Sequence, residues 1–374
     1  MTTQATQQSI AQQNWNNRQN LIQTGLHMVK QLQPVTANAL GGTMRIPLER
    51  MGIMTGIMLD VTIPLDITAT ATASPFAPYN FFNAISYTDY AGLQRVVTSG
   101  YQLHALNSMR SARFVNNSRT GGILTLAETA LNTDILNLPT AIAVANLSFS
   151  IYIPIAYDAA TDLRGAVLSQ TIYGDHYVTV TLPQVMVGTD PLVFPYTAGT
   201  VALNSGGNVS ITAYQHYIMP QQGVNNLPMI DLSTIYAIEG NYSDSANITA
   251  GQSKYLNWPN NRAIMSACHI FDQAATGGTL NGTDISKITL LGNSNTNIRE
   301  MSPRYLRNNM RFQLGADFPN GVYWINSRTQ PITTQLYGNV QTKMDVATAG
   351  ANSYFLSQYE STYMSGTPLP GVIQ

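Results

Sequence analysis

Charge is the scarcest property of this sequence. Only 10% of its 374 residues are Asp, Glu, Lys or Arg, against about 25% in an ordinary soluble domain. Asn, Gln, Ser, Thr and Tyr must supply the polar surface instead. Interface cores avoid charge because a buried ion must be desolvated. Such a chain is expected to be a building block of an assembly rather than a freely diffusing catalyst. Cysteine is almost absent: Cys268 stands alone, which excludes an intrachain disulfide and fits a reducing compartment. No stretch approaches the roughly 18 apolar residues that a spanning helix needs. Gly52-x-x-x-Gly56 lies in an apolar run, but Arg50 and Asp60 bracket it, and a buried strand is expected there. The Gln- and Asn-rich N-terminus has no apolar run of signal-peptide length. Net charge is −1, so no global field draws the chain to nucleic acid, and sequence-specific nucleic-acid binding is not expected.

Recognisable chemistry is equally scarce. There is no phosphate-cradling glycine loop, nucleophile elbow or zinc-protease helix. The five histidines, at 27, 104, 176, 216 and 269, have no ligand spacing. Cys268-His269, with Asp272 three residues on, comes nearest to a metal cluster. A buried structural pair is the expected reading, with no metal and no cofactor. Asp158 and Asp162 suit capping or solvation better than paired acid chemistry, which needs a pocket to shift their pKa values. Asn146, Asn208 and Asn247 head sequons that a chain rich in Asn, Ser and Thr produces by chance.

What is present is a β texture, with 44% hydrophobic residues to build cores. Residues 1–33 read as one helix followed by an arm, with Ile10, Leu21, Ile22, Leu26, Val29 and Leu32 partly at helical spacing and Pro34 closing the segment. Beyond it, Leu147 to Ile153, Val178 to Leu182 and Val209 to Ala213 alternate with period two, the pattern of half-buried strands. Gly121-Gly122, Gly206-Gly207, Gly277-Gly278, Asn281-Gly282 and Asn320-Gly321 mark tight connections. Many short strands argue for a sandwich or barrel. Two helices interrupt them. Thr161 would cap one over Asp162 to Leu168, and Ser302-Pro303 would start another, running to about Phe312. One helix in each half suggests two similar units in tandem, 35–220 and 229–364. A Pro/Gly/Asn linker at 221–228 joins them, and an extended tail covers 365–374. Asp231, between Ile230 and Leu232, must be paired or exposed.

Two basic features are candidate sites. The first 48 residues hold Arg18, Lys30 and Arg45 and no acid. With Trp15, this weakly amphipathic segment suits either a membrane interface or packing against a subunit. Arg304, Arg307 and Arg311 share one helix face. They suit phosphate or lipid-headgroup contact, or a solvated or intersubunit face, and the second is the plainer reading.

Several segments together resemble the major capsid protein of tectiviruses, bacteriophages whose icosahedral shell encloses a lipid membrane. Ser99-Gly-Tyr-Gln-Leu-His104 resembles the start of a strand in that family. Ile153-Pro-Ile-Ala-Tyr157 and Thr161-Asp-Leu-Arg-Gly-Ala-Val-Leu168 resemble its strand-plus-helix segment in the first barrel. Leu227-Pro-Met-Ile-Asp-Leu-Ser-Thr-Ile-Tyr236 is similar to the lead into the second barrel. Asp317-Phe-Pro-Asn-Gly-Val-Tyr323 and Leu336-Tyr-Gly-Asn-Val340 resemble closing strands. The matches keep their order from residue 99 to residue 340. The resemblance implies an all-β fold of two eight-stranded jelly rolls in tandem, strands upright to the shell, with an N-terminal helix and one short helix per roll. It further implies a homotrimer with a pseudo-hexagonal outline, assembled in a host bacterial cytoplasm. Its partners would be neighbouring trimers, vertex and minor capsid proteins, and inner membrane lipids facing Trp15, Arg18 and Lys30. A jelly-roll receptor- or glycan-binding spike is the alternative, though no shaft or repeat is visible. A jelly-roll enzyme is the third reading, with neither clustered metal ligands nor a supported carboxylate pair behind it.

Overall fold

The computed structural model describes residues 2–74, 76–110, 138–169, 174–190, 193–219, 232–244, 249–273, 284–293, 296–314, 321–348 and 353–364. The 221–228 linker, Asp231 and the 365–374 tail lie outside them, as do Gly121-Gly122, Gly277-Gly278 and Asn281-Gly282.

The first half begins with helix α1 (Thr2–Thr24). Eleven strands follow: β1 (Leu26–Gln31), β2 (Val35–Ala37), β3 (Thr43–Pro47), β4 (Ile53–Ala73), β5 (Ala84–Thr88), β6 (Gln94–Thr98), β7 (Ala143–Pro154), β8 (Val167–Leu168), β9 (Tyr177–Thr181), β10 (Tyr196–Leu203) and β11 (Val209–Met219). β4 is the spine. It pairs antiparallel with β7 on one side and with β11 and β10 on the other. Period-two alternation decides its faces: Leu59, Val61, Ile63, Leu65 and Ile67 are buried, while Asp60 stays exposed. They pack with Leu147, Phe149 and Ile151 of β7, and with Ile85, Val178 and Val180 of the facing layer β3-β9-β5-β6. The Gly56 of the GxxxG spacing lies in β4, where a Cβ would collide with the Tyr152 ring from β7.

The second half holds β12 (Thr234–Asp244), β13 (Ser253–Asn257), β14 (Ala263–Gln273), β15 (Ile285–Leu291), β16 (Asn297–Met301), β17 (Val322–Asn326), β18 (Ile332–Thr333), β19 (Gln341–Val346) and β20 (Ser353–Met364). One layer runs β17-β14-β20-β12, and β13-β19-β15-β16 faces it. Between them sit Trp258, Ile264, Phe271, Ile288, Leu290, Met344, Phe355 and Tyr359. The two halves share a sheet, because β12 runs parallel to β6, with Ile238 opposite Val96.

Three expectations need correction. The helix at the N-terminus stops at Thr24, and Leu26, Val29 and the residues around them form β1, antiparallel to β11 from Leu26↔Met219 to Gln31↔Tyr214. Their spacing suits either structure, and the open edge of β11 settles it. Thr161 to Leu168 is not a helix. Asp158 accepts hydrogen bonds from the Ala160 amide (2.9 Å) and the Thr161 hydroxyl (2.7 Å), and Gly165 turns the chain at φ +85°. These local bonds compete with helical ones. The helix set among the strands of the first half is α2 (Gly100–Arg110), so Ser99 to His104 does not start a strand. Ser99 caps it: its hydroxyl accepts from the Gln102 amide, and the Gln102 side chain accepts from the Ser99 amide, both at 3.2 Å.

The helix expected at Ser302 is α3 (Pro303–Leu314). Its cap is the Ser302 hydroxyl, which accepts from the Tyr305 amide at 3.1 Å. A single turn, α4 (Thr334–Tyr337), completes the α-helices among the described residues.

Candidate functional site

For a chain with this composition, the functional elements are surfaces and the joint that fixes their relation. The N-terminal arm is held at its base. Leu21 is 4% exposed among Ile53, Ala156, Leu163, Ala166 and Ile218, and Gln19 donates to the Thr161 carbonyl at 2.7 Å. Further up α1, Trp15 is 56% exposed and Arg18 is half-buried. Lys30 is exposed on β1, beside exposed Leu26, Met28 and Val29. Trp15, Arg18 and Lys30 therefore belong to one continuous helix-strand segment that rests on the first roll.

Arg304, Arg307 and Arg311 are all exposed on α3, whose inward face carries Leu306 and Met310. Tyr305 and Phe312 are exposed as well, the latter at 89%. This helix packs on β17 and β15, so the two basic features sit on different rolls.

Cys268 and His269 are both buried, but successive residues of β14 point to opposite faces. Cys268 packs with Tyr101, Met109, Met310 and Trp324, and burial pushes its thiol up to about 12. His269 lies in the second roll, where Nδ1 meets the Ser357 hydroxyl and Nε2 meets the Thr342 hydroxyl, each at 2.9 Å. Desolvation pushes its pKa down to about 3. Among the described residues no group of three His, Cys, Asp or Glu could hold a metal ion.

The joint between the rolls is the feature that the sequence reading missed. Helix α2 leaves the first roll yet packs Tyr101, Ala105 and Met109 onto the back of the second roll's sheet, against Ile270, Val322, Trp324 and Leu356. Gln102 fastens it, donating to the Ser357 carbonyl at 3.1 Å. Gln358 answers by donating to the Thr98 hydroxyl at 3.0 Å. Beside the joint, and within the first roll, buried Arg95 pairs with Asp89 at 2.7 Å and donates to the Gly165 carbonyl at 3.1 Å. The Ser-x-x-Gln spacing at 99–102 is the one sequence signal that locates α2. Nothing local announces its partners.

Comparison with known proteins accounts for this architecture. The model of the P3 major capsid protein N-terminal family matches residues 4–221, and that of the P3 major capsid protein C-terminal family matches residues 233–369. Major capsid protein P3 of Enterobacteria phage PRD1 is 27% identical over 372 residues, covering 95% of this chain and 91% of that protein. Among solved structures, a chain of Sulfolobus Turreted Icosahedral Virus superposes with a TM-score of 0.64 at 12% identity, covering 91% of this chain and 92% of that one. The major capsid protein P2 from bacteriophage PM2 gives 0.50 at 9% identity, covering 91% and 99%. These neighbours share the double jelly-roll fold, and the matched family is structural rather than enzymatic. The chain therefore belongs to the P3 major capsid protein family: it is a major capsid protein, a component of the virion shell.

Proposed function

We propose that the chain works as a homotrimeric capsomer in a shell drawn over a lipid membrane, and that its N-terminal arm meets the lipid. Three copies with two rolls each give a pseudo-hexagonal outline suited to tiling. The division is taken at 35–220 and 229–364, joined through 221–228. Neighbouring trimers, vertex and minor capsid proteins are its protein partners, and a bacterial cytoplasm is the place of assembly. No spike reading is retained, because the family is one of shell proteins.

One observation carries the membrane reading. The arm packs at its base and pairs with β11 along β1, yet it leaves Trp15 and Lys30 exposed, and no acid precedes Glu49. A basic residue near an anionic surface contributes about 1 kcal/mol. Arg18 and Lys30 are weak in one copy, but a trimer presents three such pairs and a shell many trimers, so the contacts add through multivalency. Arg304, Arg307 and Arg311 are assigned instead to a face between subunits.

The test is co-sedimentation with anionic vesicles. Arg18→Glu with Lys30→Glu should leave the capsomer intact and weaken vesicle binding, more at low salt than at high salt. Undiminished binding by the double variant would make the arm a protein-packing element.

A further inference from the structure

One carboxylate is shared by both rolls. Glu360, near the end of β20, has a fully buried side chain. Its Oε2 accepts from Arg328 Nε (3.1 Å), Arg328 Nη2 (2.9 Å) and the Ser266 hydroxyl (2.8 Å). Its Oε1 accepts from the Tyr236 hydroxyl at 2.8 Å and lies 3.6 Å from Arg110 Nε. Arg110 comes from the other roll, as the last residue of α2. It donates to the Tyr236 hydroxyl at 3.0 Å, and its guanidinium stands 5.5 Å from the Tyr157 ring centre and 5.3 Å from that of Tyr236. Arg164, paired with Asp162 at 2.6 Å, faces the same Tyr157 ring at 5.2 Å.

The groups facing Glu360 are thus Ser266 of β14, Tyr236 of β12, Arg328 after β17, Arg110 of α2, and Tyr157 backed by Arg164 in the segment after β7. Two guanidinium groups converge on one carboxylate in a largely dehydrated seam. Such a group is retained only where its pairing is complete, since removing one partner leaves an uncompensated buried charge.

The geometry points to Glu360 as the pin of the inter-roll joint: its ionised carboxylate, gripped by Arg110 from one roll and Arg328 from the other, holds the two rolls at one fixed angle. The β6–β12 pairing and the Gln102 and Gln358 bonds fasten the rolls at the start of α2, and Arg110 fastens them at its end. Bidentate and charge-assisted bonds are directional. The angle matters to a shell protein because it sets the footprint of each subunit.

Burial alone would raise the Glu360 pKa, but Arg328, Arg110 and the Ser266 hydroxyl outweigh it and hold the carboxyl below its ordinary value. The pin is therefore complete above the ordinary glutamate pKa of about 4.5, and it is lost as pH falls through the folded-state value.

Two variants of the full-length chain test this, followed by residue-level amide exchange and thermal unfolding. Glu360→Gln should speed exchange in 100–110, 155–166 and 234–238 at least about tenfold. The midpoint of unfolding should fall by roughly 10 °C. The single transition should split as the rolls uncouple, and the seam should stop responding to pH below 4.5. Arg110→Met leaves the Glu360–Arg328 pair in place. It should open the same three segments while exchange in the 264–271 and 285–291 core strands stays at the parent rate. This second variant keeps the test decisive if Glu360→Gln does not fold. Parent-like seam exchange in Arg110→Met would overturn the proposal. So would a Glu360→Gln protein that loses protection uniformly and keeps the parent's acid response.

Discussion

Gly165→Ala is expected to destabilise the protein far more than Gly206→Ala, although both glycines have positive φ, +85° and +76°. Each substitution puts a side chain in the left-handed region, at a cost of roughly 1–2 kcal/mol. At Gly206 the new Cβ meets nothing within 4 Å. At Gly165 it would collide with the Tyr236 side chain, and it would stand 2.8 Å from the Ile155 carbonyl and 3.0 Å from the Tyr236 amide. Two of those three obstacles are backbone, so no rotamer change relieves them. Overpacking of this kind adds about 1–3 kcal/mol. Tyr236 opens the second roll and carries the bond to Glu360, while the Gly165 carbonyl accepts from buried Arg95. The collision therefore falls on the joint. In thermal unfolding, Gly165→Ala should lose several degrees more than Gly206→Ala. Equal losses would show that the seam has slack there.

A second large effect should appear in the pH dependence of stability. His269 bridges the two sheets of the second roll, from β14 to Thr342 of β19. Trp258 Nε1 donates to the Thr342 hydroxyl at 2.7 Å. The folded imidazole is neutral, one ring nitrogen donating and the other accepting between Thr342 and Ser357. A second proton would place a full charge on a ring that has no access to solvent, and this desolvation disfavours it. The folded-state pKa of about 3 is thus far below the unfolded value of about 6.5. The unfolded state binds the proton first. Stability from this residue is complete above pH 6.5, and it is lost as pH falls from there through about 3, by up to about 1.4 kcal/mol per pH unit. Denaturant midpoints at pH 7, 6, 5 and 4 should fall more steeply for the parent than for His269→Leu. The variant starts lower, because it strands Thr342 and Ser357. Parallel curves would mean that His269 ionises freely.

These two sites show what the sequence can express. Period-two strands such as Val209 to Ala213, and the Ser302-Pro303 start of α3, are local patterns and could be read directly. So could the placing of Cys268 and His269 on opposite faces, once their segment is taken as a strand. Ser99-x-x-Gln102 was equally local, and it marks α2 as a capping box. The arm was ambiguous for a physical reason: Leu26 and Val29 satisfy helical spacing, and only the exposed edge of β11, nearly two hundred residues away, makes them a strand. At Thr161, the Asp158 side chain bonds the Ala160 amide and the Thr161 hydroxyl in a turn where a helix was expected. The joint was not legible at all. Gln102 meets Ser357 across 255 positions and Tyr236 meets Glu360 across 124. No spacing rule links such residues, and a lone glutamate in a strand gives no sign of its partners. The basic candidates have a similar limit. Arg304, Arg307 and Arg311 are visibly one face, but their spacing names no partner for it.

The most direct test of the central claim, that this chain is an assembly unit whose two rolls form one rigid tile, is its mass in native buffer. Size-exclusion chromatography with light scattering at micromolar concentration should give three times the 40.7 kDa chain, stable on dilution as obligate interfaces are. A stable monomer at the same concentration would contradict it.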